Sequence, residues 1–186
     1  GYDSNKKVIK NRATGYNRLA NTFEHANYID MSSPFSAGGI YSTVEDLLRW
    51  DQALYTEQLL PKKYLELLFS KHILAWGNQH YGYGWEIGEM KAGNSNKRLE
   101  TIGHGGLING FNTQITRFPE DQTLIVLLNN TGLAPLYDLT RGILGILHDQ
   151  PYTLPRQSLA YSFLDTLEKE GITKAMTFFE KAKNSD

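Results

Sequence analysis

Residues 102–110, IGHGGLING, place one histidine among four glycines with apolar residues on both sides. An imidazole can hydrogen-bond through either ring nitrogen or carry charge near neutral pH. Glycine has no Cβ, so a backbone that contains it can come close to another group. An active-site wall is one reading of His104, Gly105 and Gly106. Two other readings fit the same residues. One is a glycine-rich turn in which His104 caps a strand end. The other is a phosphate-cradling loop, but that needs a Gly-Lys-Ser/Thr and a following helix pattern, and neither is present.

Nucleophile candidates are few. Cysteine is absent, which removes disulfides, thiolate metal sites and a cysteine nucleophile. No G-x-S-x-G elbow occurs. Ser-x-x-Lys occurs once, as Ser4 to Lys7, inside the polar stretch DSNKK. That stretch has no apolar helical face, so it reads as a solvated loop. His25, His72, His80 and His148 lack a metal-ligand spacing such as H-E-x-x-H and read as surface or satisfied structural residues. No metal or organic cofactor is implied.

The elements that must position His104 come next. STVEDLLRWDQAL opens with a Ser-x-x-Glu capping box, Ser42 to Glu45. Val44, Leu47, Leu48 and Leu54 then share one helical face. A second helix begins at Pro61 and turns Leu65, Leu68 and Phe69 inward. Strand patterns dominate afterwards: YGYGWEIGEM (81–90), KRLETIGH (97–104), FNTQITRF (111–118) and TLIVLLNN (123–130). Short turns between them predict an antiparallel meander of about four strands, with the very apolar 123–130 at its centre. Tyr83 and Trp85 read as core. Gly38 and Gly39 are a plain turn or a piece of a pocket. Asn109 and Asn112 read as turn residues beside the histidine strand. Residues 1–36 read as loops with one short strand near Lys7–Lys10. A helix over about 134–148 follows the meander. Ile172, Ala175, Met176 and Phe179 mark the last of two short helices separated by Gly171.

The fold class predicted is α+β, an antiparallel sheet packed with helices, in a unit over 1–150. A helical extension over 151–186 follows, read as a docked appendage or an interaction pair. The formal net charge of -1 among 186 residues gives no electrostatic case for nucleic acid or an anionic membrane. No run of apolar residues is long enough to span a bilayer, and the polar start GYDSNKKVIKNR is not a signal peptide.

SPFSAGGIYSTVEDLLRW (33–50), YGYGW (81–85) and IGHGGLINGF (102–111), in that order and at that spacing, resemble the serine beta-lactamase-related superfamily. This group holds class C beta-lactamases, D-alanyl-D-alanine peptidases, related esterases and penicillin-binding-protein-like relatives. The resemblance covers about residues 12–148. Its members use a Ser-x-x-Lys nucleophile and base, a Tyr-x-Asn proton relay, and a Lys-Thr-Gly or His-x-Gly on a strand at the cleft edge. His104, Gly105 and Gly106 match the third motif. The resemblance thus implies a catalytic-wall role for His104 and substrate binding by Gly105, Gly106 and Leu107, with the Leu107 backbone N–H as an oxyanion donor. None of the eleven tyrosines has Asn two residues on, and Ser4 to Lys7 stands in the wrong setting. The expectation is therefore the C-terminal portion of a larger hydrolase, inactive alone, extracytoplasmic by analogy, acting on D-Ala-D-Ala peptides, beta-lactams or small esters. The alternative is a non-catalytic binding module on the same scaffold. A sheet shorn of a neighbouring strand is expected to self-associate or to be covered by the chain's own N-terminal segment.

Overall fold

The computed structural model describes residues 1–4, 6–19, 22–155 and 158–183. A two-stranded hairpin, β1 (Tyr16–Leu19) with β2 (Thr22–His25), comes first. Helices α1 (Val44–Ala53) and α2 (Lys62–Leu68) follow. Then comes one antiparallel meander in sequential order: β3 (Ile73–Trp76), β4 (Gln79–Tyr81), β5 (Glu86–Lys91), β6 (Arg98–Ile108), β7 (Phe111–Phe118) and β8 (Thr123–Asn129). Three helices close the chain, α3 (Leu136–Leu147), α4 (Leu159–Glu170) and α5 (Ile172–Lys183). The architecture is the α+β class expected.

Strand count and order correct the sequence reading. The main sheet has six strands, because ILAW and QHY form β3 and β4 ahead of the expected four. The run 81–90 is not one strand: Gly82–Trp85 interrupts it, so Tyr81 ends β4 and Glu86 starts β5. The most apolar strand, β8, lies at the edge of the order rather than its centre. Residues near Lys7–Lys10 form turns and bends, and the early strands lie at β1 and β2.

The sheet is covered on both faces, which is why the period-2 alternation is blurred. Ile87 and Ile102 are cross-strand partners and pack with Leu54, Leu65 and Trp85 from the α1–α2 side. Met90 faces Leu99 across the same ladder with the opposite parity, and joins Phe118, Ile125 and Leu144 of α3. The helix starts are set by local capping. Thr43, not Ser42, caps α1: its hydroxyl accepts the Asp46 N–H at 3.2 Å and its carbonyl accepts the first helical N–H, from Leu47. Pro61 caps α2 through its carbonyl, which accepts from Tyr64 and Leu65. At the other end α4 and α5 pack on each other across Gly171, with Ala175 buried and Phe163 edge-on to Phe179.

One charged pair lies inside. Arg117 on β7 and Asp51 on α1 meet at 2.5 Å, with side chains 2% and 4% exposed. The guanidinium carbon lies 4.7 Å from the rings of both Tyr55 and Phe69 and 5.8 Å from Trp85. This pair joins α1 to the sheet at the position opposite Ile102 of β6. Burial pushes the Tyr55 hydroxyl pKa above its ordinary 10.0, while the neighbouring Arg117 charge pulls the other way.

Candidate active site

β6 is eleven residues long and outruns β5, which has six. The β5–β6 ladder ends at Glu86 opposite Gly103. Beyond it, His104–Ile108 pair with β7 alone, from Ile115 through Phe111. Among the described residues no strand flanks the other side of this stretch. HGGL is therefore an open sheet edge, not an isolated turn. An extended segment can pair with such an edge through main-chain hydrogen bonds.

Gly103, just before this stretch, and Gly105 and Gly106 within it do different work. A Cβ on Gly103 would meet the Ile115 carbonyl oxygen at 2.7 Å, so β7's backbone forbids one. At Gly106 the position is filled by the Thr113 hydroxyl oxygen, 2.8 Å away. Gly105 has nothing closer than the Thr113 carbonyl at 3.9 Å, so its freedom faces open space. The Leu107 side chain is 76% exposed, an apolar group left uncovered beside the open edge. It lines a shallow cleft of about 460 Å³ together with Arg18, Asn109, Gly110, Thr131 and Leu133. Arg18 stands 4.3 Å from the ring of Tyr161 on α4.

His104 is exposed and held at both ring nitrogens. Nε2 is 2.9 Å from the Tyr81 hydroxyl, and Nδ1 is within hydrogen-bond reach of the Gly105 carbonyl. The Tyr81 and His104 rings meet edge to face at 5.8 Å. The three stretches singled out in the sequence converge here. Tyr81, from YGYGW, bonds His104, and Trp85 of the same stretch stacks on Trp50 of α1 at 5.4 Å. From the AGG stretch, a Cβ at Gly38 would lie 3.7 Å from the Ile108 side chain at the far end of β6.

Other candidates fall elsewhere. Ser4 stands in a turn, where its hydroxyl accepts the Lys6 N–H at 3.2 Å, and the Lys7 side chain is exposed. Asn109, in the turn after β6, donates to the Asn27 carbonyl and Asn112 to that of Ala134, both at 3.0 Å; Asn112 lies on β7, which corrects its reading as a turn residue. Trp85 is core, but Tyr83 is 66% exposed and stacks edge-on with His72, which corrects its reading as core. His72 Nε2 lies 2.8 Å from the Leu67 carbonyl. His148 sits between Lys97, whose amine donates to Nδ1 at 2.8 Å, and Asp121, 3.0 Å from Nε2 but off the line for a hydrogen bond. His80 departs from the satisfied pattern expected of it, since its buried Nδ1 has no hydrogen-bond partner among the described residues. No cluster of three His, Asp or Glu suited to a metal occurs among the described residues. Sequence reasoning missed Tyr81 as a partner of His104 and the Asp51–Arg117 pair behind the site.

The chain is 28% identical over 143 residues to penicillin-binding protein 4* of Bacillus subtilis (strain 168), covering 75% of this chain and 31% of that protein. Its fold matches the crystal structure of a penicillin binding protein from Bacillus halodurans with a TM-score of 0.61 at 21% identity, over 78% of this chain and 43% of that one. The chain thus spans less than half the length of either relative. The family model described as Beta-lactamase matches residues 1–145, more than half the sequence, and the chain belongs to the beta-lactamase family.

Proposed function

We propose that this chain supplies one wall of the cleft of a serine acyl hydrolase, and that the nucleophile, its lysine base and the tyrosine relay come from a segment outside these 186 residues. The observation that carries the reading is the open β6 edge at His104–Ile108, with Tyr81 at His104 and Gly38 beside Ile108. In the complete protein a serine attacks an amide or ester carbonyl and forms an acyl-enzyme, which water then releases. Gly105 and Gly106 let the acyl group approach the strand, and the Leu107 N–H donates to the developing oxyanion. Losing one such donor costs on the order of 100-fold or more in rate.

Candidate substrates are D-Ala-D-Ala peptides, beta-lactams and small esters. The analogy with cell-wall enzymes carries an extracytoplasmic setting with it. Among the described residues, no helix is long and apolar enough to cross a membrane. Residues 151–186 are proposed as a docked appendage to the unit over 1–150. Among the described residues, the chain's own N-terminal segment reaches the sheet at one end, where Tyr16 donates to the Asn130 carbonyl and Asn130 to that of Thr14. Self-association along the remaining length of β8 is therefore expected, and sedimentation across a concentration series reads it directly.

The test of the main reading is intact mass after incubation with a fluorophosphonate and, separately, a penicillin. The expected result is no adduct on this chain. A stoichiometric adduct would show that the chain holds its own nucleophile. If Ser4→Ala then abolished it, the Ser4 to Lys7 turn would be that nucleophile.

A further inference from the structure

We infer that Tyr81 is the positioning residue of His104: its hydroxyl holds the ring in the orientation in which the Gly105 carbonyl selects the neutral tautomer. The inference rests on the reading of His104 as part of the cleft wall, but its physical content stands apart from any catalysis. A carbonyl oxygen can only accept, so the contact between His104 Nδ1 and the Gly105 carbonyl requires the proton to sit on Nδ1. In the neutral ring Nε2 then carries a lone pair, and the Tyr81 hydroxyl, 2.9 Å away, must donate to it. The opposite tautomer would set a lone pair against the Gly105 carbonyl oxygen, which is repulsive. The two contacts together select one tautomer and one ring flip.

The hydroxyl adds a second property. A phenol both donates and accepts. Were His104 protonated, Nε2–H would donate to the Tyr81 oxygen and Nδ1–H would still donate to Gly105. The ring thus keeps its place in either charge state, and the wall of the cleft can change charge without moving. His104 is in consequence a fixed wall with both nitrogens engaged, not a free base turning at the surface. The two aromatic ends of YGYGW serve different purposes. Trp85 packs in the core against Trp50, while Tyr81, four residues earlier, holds the histidine.

Long-range proton–nitrogen NMR of the histidine rings tests this on the chain as it is. His104→Gln identifies the His104 signals by their loss. In alkaline buffer, where imidazole is neutral, the expected His104 pattern is that of the Nδ1–H form alone. Tyr81→Phe removes only the hydroxyl; the ring, no longer held against the Gly105 carbonyl, is expected to turn, and the single pattern to give way to a mixture of the two forms. Tyr83→Phe, at the neighbouring exposed tyrosine against His72, is expected to leave His104 unchanged. An Nε2–H pattern in the unsubstituted chain would overturn the inference whether or not Tyr81→Phe folds. So would an unaltered Nδ1–H pattern in a folded Tyr81→Phe. An adduct in the mass experiment would sink the proposed division of the enzyme and leave this result standing.

Discussion

Removing Asp51 should unfold this protein far more readily than its small size change suggests. Asp51→Ala deletes a carboxylate that is 4% exposed and leaves the Arg117 guanidinium, 2% exposed, without its anion. Breaking a buried pair by removing one partner costs about 3–5 kcal/mol, because the remaining charge stays out of water unpaired. The rings of Tyr55, Phe69 and Trp85 still face the guanidinium and give back part of this, at about 0.5–2 kcal/mol for a cation–π contact. The expected net loss is about 3 kcal/mol, a large share of the roughly 5–15 kcal/mol typical of a folded domain. With a urea slope of about 2 kcal/mol/M, the midpoint falls by about 1.5 M. Tryptophan fluorescence reads the transition, since Trp50 and Trp85 stack beside the pair. Asp51→Leu combined with Arg117→Met should recover most of the loss, since an apolar pair of similar volume carries no desolvation penalty. A loss under about 1 kcal/mol for the single substitution, or a double variant no better than the single, would refute the claim that burial of an unpaired charge sets the cost.

Three further outcomes are expected. Thr43→Ala should destabilise by about 1 kcal/mol while Ser42→Ala changes little, because the Thr43 hydroxyl holds the Asp46 N–H; urea midpoints of the two variants decide which residue caps α1. Gly103→Ala should cost about 1–3 kcal/mol, since the new Cβ meets the Ile115 carbonyl at 2.7 Å, whereas Gly105→Ala, with 3.9 Å of clearance, should leave the thermal midpoint nearly unchanged. Burial raises the Tyr55 pKa, so the folded state holds that proton more tightly than the unfolded state does. Stability from this group is whole below the unfolded value of 10.0 and falls as pH rises through the higher folded value. Urea midpoints measured on both sides of pH 10.0 should decline more steeply in the parent chain than in Tyr55→Phe.

The parts of this fold that sequence made legible are those whose signal is local. FNTQITRF is β7 residue for residue, and the α3 helix differs from its expected span only at the ends. The errors arise where position depends on distant neighbours. TLIVLLNN is apolar because α1 and α3 pack on its two faces, and that says nothing about who sits beside it in the hydrogen-bonding direction. Apolarity measures burial of faces, so it could not rank β8 as centre or edge. β3 escaped for the converse reason. Ile73, Leu74 and Trp76 are exposed, so no amphipathic contrast marks the strand. Its usable signal was the Gly77-Asn78 turn between ILAW and QHY, with Gly77 at φ +55°. Arg117 carried a signal too. It shares parity with Ile115 on a strand buried on both sides, and a charge at such a position demands a buried partner.

The site shows the same division. That His104 stands on a strand with glycines around it follows from residue types and resemblance. That the strand edge is open follows from a difference in length between two neighbours, eleven residues against six, which only pairing reveals. The mismatch explains why HGG can be exposed within a sheet whose centre is dry. β5 starts only at Glu86 because Gly82–Trp85 turns the chain away before it, and that same turn delivers Tyr81 to the histidine and Trp85 to the core. A tight turn at YGYGW is thus the device that both uncovers the β6 edge and supplies the hydroxyl that orders its imidazole. Gly84, at φ +79° with open space where a Cβ would be, is the residue that lets the turn close. A β-branched residue there would strain the turn itself, and the effect would reach the His104 tautomer through Tyr81 without touching the cleft.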